Sequence, residues 1–208
     1  MTATGGAIGL VRGRGRAILS GMTEPTDLTG KLLIAMPGMG DPRFERAVIF
    51  LCAHGEDGAM GLIVNKPATE ISLSDLLEQL DIPMAEGPDT RVHFGGPVEG
   101  RRGFVLHSPD YEAGEGTLDV EGRFGMTATL DVLRSMGDGA GPRQAIVALG
   151  YAGWGPGQIE SEIAGNGWLV ADADPEVVFG GDDAGKWMRA IEGLGFDPIL
   201  LSGTAGTA

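Results

Sequence analysis

Cys52 and His54 are the two residues whose types and spacing most strongly suggest chemistry. They stand two positions apart at the end of an apolar, β-branched run, residues 47–53, which predicts a strand. Residues i and i+2 of a strand point to the same face, so the thiol and the imidazole would lie side by side, about 6.5 Å apart at the backbone. An imidazolium at that distance would lower the pKa of the thiol and favour nucleophilic or redox chemistry. The alternative interpretation is that Cys52 is a small buried apolar residue and that His54 begins a turn.

A glycine-rich stretch, residues 150–157 (GYAGWGPG), is the second candidate. It follows a predicted strand at 145–149 and precedes a predicted helix at 158–164, a position where phosphate-binding loops occur. Its glycine spacing matches neither the dinucleotide fingerprint nor the P-loop, and Glu160 and Glu162 would oppose an anionic ligand. The pattern favours a turn in which Tyr151 and Trp154 pack on the core. We therefore expect no nucleotide and no other cofactor.

The remaining composition excludes several classes of function. His54, His93 and His107 are too far apart for a recognised metal-ligand spacing, and Cys52 is the only cysteine, so we expect no metal site. The net charge of −14, from 29 acidic and 15 basic residues, repels nucleic-acid phosphates and anionic membranes. No apolar run approaches the ~20 residues that cross a bilayer. A single cysteine fits a reducing compartment, so we expect a cytoplasmic protein.

The elements that must position these residues are mostly strands. Residues 1–28 lack apolar periodicity and predict a mobile N-terminal arm, followed by one domain over 29–208. Ser72 and Asp75 have capping-box spacing at the start of a helix, and a further helix is predicted at 182–194. The strands outnumber the helices and come in adjacent pairs, which favours an α+β domain with a mixed, largely antiparallel sheet. Strands are predicted at 32–36, 47–53, 60–64, 91–94, 103–107, 117–120, 145–149 and 168–170.

Several short motifs, in this order and spacing, resemble the YqgE/AlgH family of bacterial proteins. The motifs are LTGKLLIAMP at 28–37, RFER at 43–46, GAMGLIVNKP at 58–67, GGPV at 95–98, LHS at 106–108, GYAGW at 150–154 and GQIE at 157–160. The resemblance runs from about residue 28 to the C-terminus. It implies a mixed α/β fold with a barrel-like strand core and flanking helices. The family carries the label of transcriptional regulators, while its molecular activity is not established.

The first functional hypothesis is a non-enzymatic cytoplasmic binding or regulatory domain that acts through a protein or small-molecule partner. Glycine-rich loops let a ligand approach the backbone, so we expect the binding surface on three loops. The candidate binding residues are Pro37, Gly38, Asp41, Gly95, Gly96, Pro97, Tyr151, Trp154, Gln158 and Glu160. The alternatives are a thiol enzyme or redox sensor that uses Cys52 with His54, and a regulator that binds DNA directly, which the negative charge disfavours. No residue pattern sets an oligomeric state.

Overall fold

The computed structural model of the chain describes residues 27–84, 90–112 and 114–195. The arm predicted over 1–28 lies almost entirely outside them. The strands are β1 Lys31–Ala35, β2 Val48–Gly55, β3 Gly58–Ile63, β4 Val92–Phe94, β5 Val98–His107, β6 Thr117–Val120, β7 Phe124–Thr127, β8 Ala145–Trp154 and β9 Trp168–Asp172. The helices are α1 Leu73–Gln79, α2 Leu130–Gly137, α3 Gln158–Ala164, α4 Pro175–Phe179 and α5 Asp183–Gly193, and single 3-10 turns lie at Pro42–Phe44 and Gly114–Gly116.

The described strands form one curled, half-barrel sheet in the order β6-β7-β5-β8-β3-β2-β1-β9. Strand β4 pairs in parallel with β8, and the other pairs are antiparallel. The predicted α+β domain with a mixed, largely antiparallel, barrel-like sheet is therefore confirmed. Among the described helices, none is long and apolar enough to cross a membrane.

Both faces of the sheet are covered, and β2 shows why. Its residues alternate between two apolar clusters: Val48 and Phe50 join the first cluster, and Ile49 and Leu51 join the second. A strand buried on both faces reads as a continuous apolar run, as residues 47–53 do. The third cluster packs α1 and α2 against β5 and β8, through residues that include Leu77, Val132, Val105 and Val147.

Two irregularities change which side chains face which cluster. In β2 the pairing shifts between Leu51 and Ala53, leaving Cys52 as the extra residue of a β-bulge. Where β5 pairs with β8, the pairing shifts between Val98 and Gly103 of β5, opposite Gly150 of β8, which has a left-handed φ of 73°. Each irregularity moves the residues that follow it to the opposite face from the one a regular strand would give.

The sequence-predicted elements agree with the structure except in four places. Strand β5 begins at Val98, five residues before the predicted start at Gly103. The predicted glycine-rich loop at 150–157 is wrong in its extent, because β8 continues through Trp154 and only residues 155–157 connect it to α3. Strand β7 and the five-residue helix α4 were not predicted. The helix at Ser72 is confirmed together with its capping box: Ser72 Oγ accepts from Asp75 N at 3.1 Å and Asp75 Oδ2 accepts from Ser72 N at 2.9 Å.

Candidate functional site

The predicted side-by-side arrangement of Cys52 and His54 is wrong. Cys52 is 1% exposed and lies in the first cluster. His54 follows the bulge and pairs with Ala59, which packs against the second cluster. Burial raises the pKa of the Cys52 thiol to about 12, the opposite of what a reactive thiolate needs. The thiol is therefore a core residue in this structure, and the bulge is the physical reason that the i, i+2 argument fails.

His54 instead joins three segments of the chain. Its Nδ1 accepts a hydrogen bond from the backbone N of Leu28 at 3.2 Å, so in the neutral ring the proton sits on Nε2. That Nε2 donates to Glu160 Oε1 on α3 at 2.9 Å. The backbone N of His54 donates to Thr29 Oγ1 at 3.1 Å. Two of the predicted candidates, His54 and Glu160, thus meet. Through these three hydrogen bonds His54 fastens α3 and residues 28–29 to the β2–β3 hairpin.

A surface cavity of about 480 Å³ brings four of the predicted binding residues together. Asp41, Pro97, Trp154 and Gln158 all line it. We call it the loop cleft, and its full lining is Met39, Asp41, Arg43, Phe44, Pro97, Gly153, Trp154, Gln158, Glu162, Gly165, Gly167 and Trp168. A cavity of this size with an apolar and aromatic wall and a few polar groups is typical of ligand-binding sites.

The aromatic wall of the loop cleft is held in place by Glu162. Its Oε2 accepts from the indole N–H groups of Trp154 at 2.9 Å and Trp168 at 2.8 Å, and its Oε1 accepts from Gln158 Nε2 at 2.8 Å. Burial would raise the pKa of Glu162, but the hydrogen bonds from Trp168, Gln158 and Trp154 outweigh it and lower that pKa. Phe44 completes the wall, with its ring edge-on to Trp168 at 5.8 Å between centroids. The carboxylate thus fixes the two indoles and one amide as a unit.

The mouth of the loop cleft carries a paired charge. Asp41 caps the 3-10 turn by accepting from Arg43 N at 2.9 Å, and both of its oxygens accept from the Arg43 guanidinium. The side-chain hydrogen bond from Arg43 holds the pKa of Asp41 below its usual value. Because the Arg43 side chain is 57% exposed, it can still contact a ligand while it is paired.

The other predicted binding residues do not line the loop cleft. Tyr151 packs edge-on against Phe104 at 5.8 Å in the first cluster, and Pro37 and Gly38 lie outside the cleft lining. Gly95 and Gly96 have a packing requirement of their own. A Cβ at Gly95 would lie 2.2 Å from the Gly150 carbonyl oxygen, and one at Gly96 would lie 2.1 Å from the carbonyl carbon of Tyr151. These two glycines let the end of β4 run against β8, whether or not a ligand binds.

The sequence reasoning missed a buried charged cluster around Asp183. Asp183 Oδ1 lies 3.1 Å from His93 Nε2 and 3.0 Å from Lys186 Nζ, and Oδ2 lies 2.7 Å from Arg91 Nη1. Lys186 Nζ also donates to the carbonyl oxygens of Val64 and Val178, both at 2.7 Å. Burial lowers the pKa values of His93 and Lys186, against the opposing influence of Asp183. His93 is thereby held closer to neutrality than a surface histidine.

A signal for this cluster was present in the last helix. In the helix predicted at 182–194, Trp187, Ala190 and Ile191 form an apolar stripe at helical spacing. Asp183 and Lys186 precede Trp187 and Ala190 by four residues each, so they continue the same buried face. An acid and a base on an apolar stripe predict a buried ion pair. No group of three or more His, Cys, Asp or Glu side chains in the described part of the chain is arranged to hold a metal ion.

Comparison with known proteins gives a consistent result. Residues 32–199 match the AlgH-like family model. A UPF0301 protein of Ruegeria pomeroyi is 63% identical over 184 residues, which cover 88% of this chain and all of that protein. A UPF0301 protein of Cereibacter sphaeroides KD131 is 57% identical over 183 residues, with the same coverage of both chains. The solution structure of AlgH from Pseudomonas aeruginosa has a TM-score of 0.70 and 40% identity, and the match covers 90% of this chain and 100% of that one. A crystal structure from Corynebacterium diphtheriae, at 21% identity and a TM-score of 0.69 over 86% and 92% of the two chains, shares the fold. The chain belongs to the AlgH-like family.

Proposed function

We propose that the protein is a non-enzymatic cytoplasmic binding domain that captures an apolar or aromatic group of a small molecule or of a partner protein in the loop cleft. The observation that carries this proposal is the convergence of Asp41, Pro97, Trp154 and Gln158 on one cavity of about 480 Å³. These residues come from three separate segments of the chain. A regulatory role would follow if binding there alters what the domain contacts.

The rigidity of the cleft wall supports binding. Trp154 and Trp168 are nearly buried, and Glu162 holds both indole N–H groups. Because the side chains of the wall are already fixed, binding does not have to order them, and this entropic cost of an induced site is avoided. Arg43 at the mouth supplies an exposed cation that can select the orientation of the ligand.

The two alternatives have less support. A thiol enzyme or redox sensor needs an accessible, low-pKa thiol, whereas Cys52 is 1% exposed with a pKa raised to about 12. A direct DNA-binding regulator needs a cluster of Lys and Arg side chains that neutralises phosphates, whereas the charge of −14 on the chain repels a phosphate backbone. Under the binding proposal, duplex DNA gives no electrophoretic shift even at low salt.

The three tryptophans provide an internal test of the cleft. Trp154 and Trp168 line it, while the Trp187 indole donates to the Ala35 carbonyl oxygen at 2.9 Å and lies outside it. We expect a library of planar aromatic fragments, screened by ¹H–¹⁵N correlation spectra, to yield members that shift the indole signals of Trp154 and Trp168 and leave that of Trp187 in place. Single Trp→Phe variants assign the three signals.

Ring-removal variants provide the matched controls. Phe44→Ala removes part of the cleft wall and should lower the affinity for the fragments that shift the Trp154 and Trp168 signals. Phe179→Ala removes a ring that is also half-buried but packs on the first cluster, and it should leave fragment affinity unchanged. A library that moves none of the cleft signals, or fragments that move all three indoles alike, would contradict the proposal.

A further inference from the structure

A second cavity, of about 220 Å³, lies where the start of β4, the turn before β8 and the α4–α5 connection meet. We call it the cationic pocket and define it by Thr90, Arg91, His93, Arg143, Asp183 and Lys186. A cavity that holds a single water needs only ~10–15 Å³, so this cavity accommodates a small organic or inorganic ligand. It shares no lining residue with the loop cleft.

The floor of the cationic pocket is a fixed array of buried polar side chains. His93, Asp183 and Lys186 are 2%, 5% and 1% exposed. Asp183 Oδ2 forms an ion pair with Arg91 but no aligned hydrogen bond within the described residues. The Gly181 carbonyl oxygen accepts from the other terminal nitrogen of the same guanidinium. Asp183 and Gly181 thus hold Arg91 in one orientation at the pocket wall.

The charges of the pocket run against those of the whole protein. Three basic side chains, Arg91, Arg143 and Lys186, line it with one carboxylate, Asp183, although the chain as a whole carries −14. The Arg143 side chain is 85% exposed, and its Nε lies 3.3 Å from Asp110 Oδ2. Its two terminal nitrogens make no hydrogen bond to described residues, so they are available to a ligand. A local excess of positive charge in an acidic protein attracts small anions.

We infer that the cationic pocket binds the oxyanion group, phosphate or carboxylate, of a small anionic metabolite through Arg143 and Arg91. A planar guanidinium can donate two parallel hydrogen bonds to such a group, and charge-assisted bonds of this kind are the stronger class. Arg91 is already oriented, and Arg143 lies at the mouth with free donors. This site is separate from the loop cleft and does not depend on the function proposed for the cleft.

Titration of the full chain with inorganic phosphate, and separately with acetate, tests the inference at constant ionic strength set with sodium chloride. We expect saturable shifts of the backbone amides of Arg143, Gln144, Gly180 and Gly181 in ¹H–¹⁵N spectra, with the amide of Gly155 beside the loop cleft unmoved. Tighter binding of phosphate would assign the site to phosphorylated ligands, and tighter binding of acetate would assign it to carboxylates. The absence of saturable shifts with both anions would overturn the inference.

Two exposed arginines make a matched pair of variants. Arg143→Gln should lower the affinity for the anion by about tenfold or more, the usual effect of losing a hydrogen bond to a charged group. Arg134→Gln removes the same charge from α2, where the side chain is 58% exposed and paired with Asp131, and should leave the affinity unchanged. Equal weakening by both variants would show that the anion responds only to overall charge and would overturn the inference. The melting temperature of each variant confirms that it is folded.

Discussion

Replacing Lys186 with methionine should destabilise the protein by about 3–5 kcal/mol, the usual cost of removing one partner from a buried ion pair. Methionine retains most of the apolar stem, so the loss is mainly that of the ammonium group. The Nζ atom holds two carbonyl oxygens at 2.7 Å and Asp183 at 3.0 Å, and the side chain is 1% exposed. Removing it leaves one carboxylate and two carbonyl groups without their common donor.

The expected change is large enough to measure in two ways. For a domain of this size each kcal/mol moves the melting temperature by roughly 2–4 °C, so the drop should be about 6–20 °C. Guanidinium unfolding followed by circular dichroism gives the free energy of unfolding directly. A loss below about 1 kcal/mol would refute the reasoning, because it would place Lys186 in the energetic range of surface ion pairs.

Lys31→Met is the matched control. Lys31 Nζ lies 2.8 Å from Asp172 Oδ1, as close as any contact of Lys186 with a carboxylate. The difference is solvent, because the Lys31 and Asp172 side chains are 33% and 86% exposed. Water and salt screen such a pair, which contributes about 0–1 kcal/mol, so this variant should melt no more than about 4 °C below the wild type. Similar losses in both variants would mean that burial does not determine the cost.

Other outcomes follow from individual contacts. Gly95→Ala should lower the free energy of unfolding by about 1–3 kcal/mol through overpacking, because the added Cβ would lie 2.2 Å from a backbone oxygen of β8. Gly103→Ala is the control and should change the free energy of unfolding little, because a Cβ there has no atom within 4 Å. Chemical unfolding of both variants measures the difference. Iodoacetamide should leave Cys52 unmodified in the native protein at pH 8 and alkylate it after unfolding, and mass spectrometry showing native alkylation at the rate of free cysteine would contradict its burial. Hydrogen bonds hold the pKa of Glu162 in the folded protein below its ordinary value of 4.5. The ionised carboxylate therefore stabilises the fold above pH 4.5, and this stabilisation is lost as the pH falls through the folded pKa. Between pH 7 and pH 3 the free energy of unfolding should fall less in Glu162→Gln than in the wild type.

The sequence predicted the elements whose signals are local. Ser72 and Asp75 specified the start of α1 by their spacing, and the apolar stripe of Trp187, Ala190 and Ile191 specified α5. The apolar, β-branched run at 47–53 predicted strand β2. These signals depend on neighbours within one turn of a helix or a few residues of a strand, so one sequence contains them in full.

The failures have a common physical origin in the bulges. A strand with period two predicts that Cys52 and His54 share a face, and one extra residue at Cys52 reverses that prediction. A similar break lies at Gly150, inside the apparent glycine loop. Ile146 and Ala148 join the first cluster, whereas Ala152 and Trp154, which a regular strand would place on the same face, join the second. Nothing local in the sequence distinguishes a bulge from a regular strand or a turn, because the partner strand determines the pairing. The loop cleft and the cationic pocket likewise unite segments far apart in the chain.

The position of β8 has a consequence for how the chain reaches this structure. This strand pairs with β3, β4 and β5, so the middle of the sheet joins residues 145–154 to partners between 59 and 107. During synthesis the β2–β3 hairpin must therefore wait, with an unpaired apolar edge, until residue 154 has left the ribosome. Pairings this distant in sequence are slow to form, and segments that wait with exposed strand edges are those that chaperones bind and that aggregate. We therefore expect the pairing of β8 with β3, β4 and β5 to be a slow step in the folding of this protein.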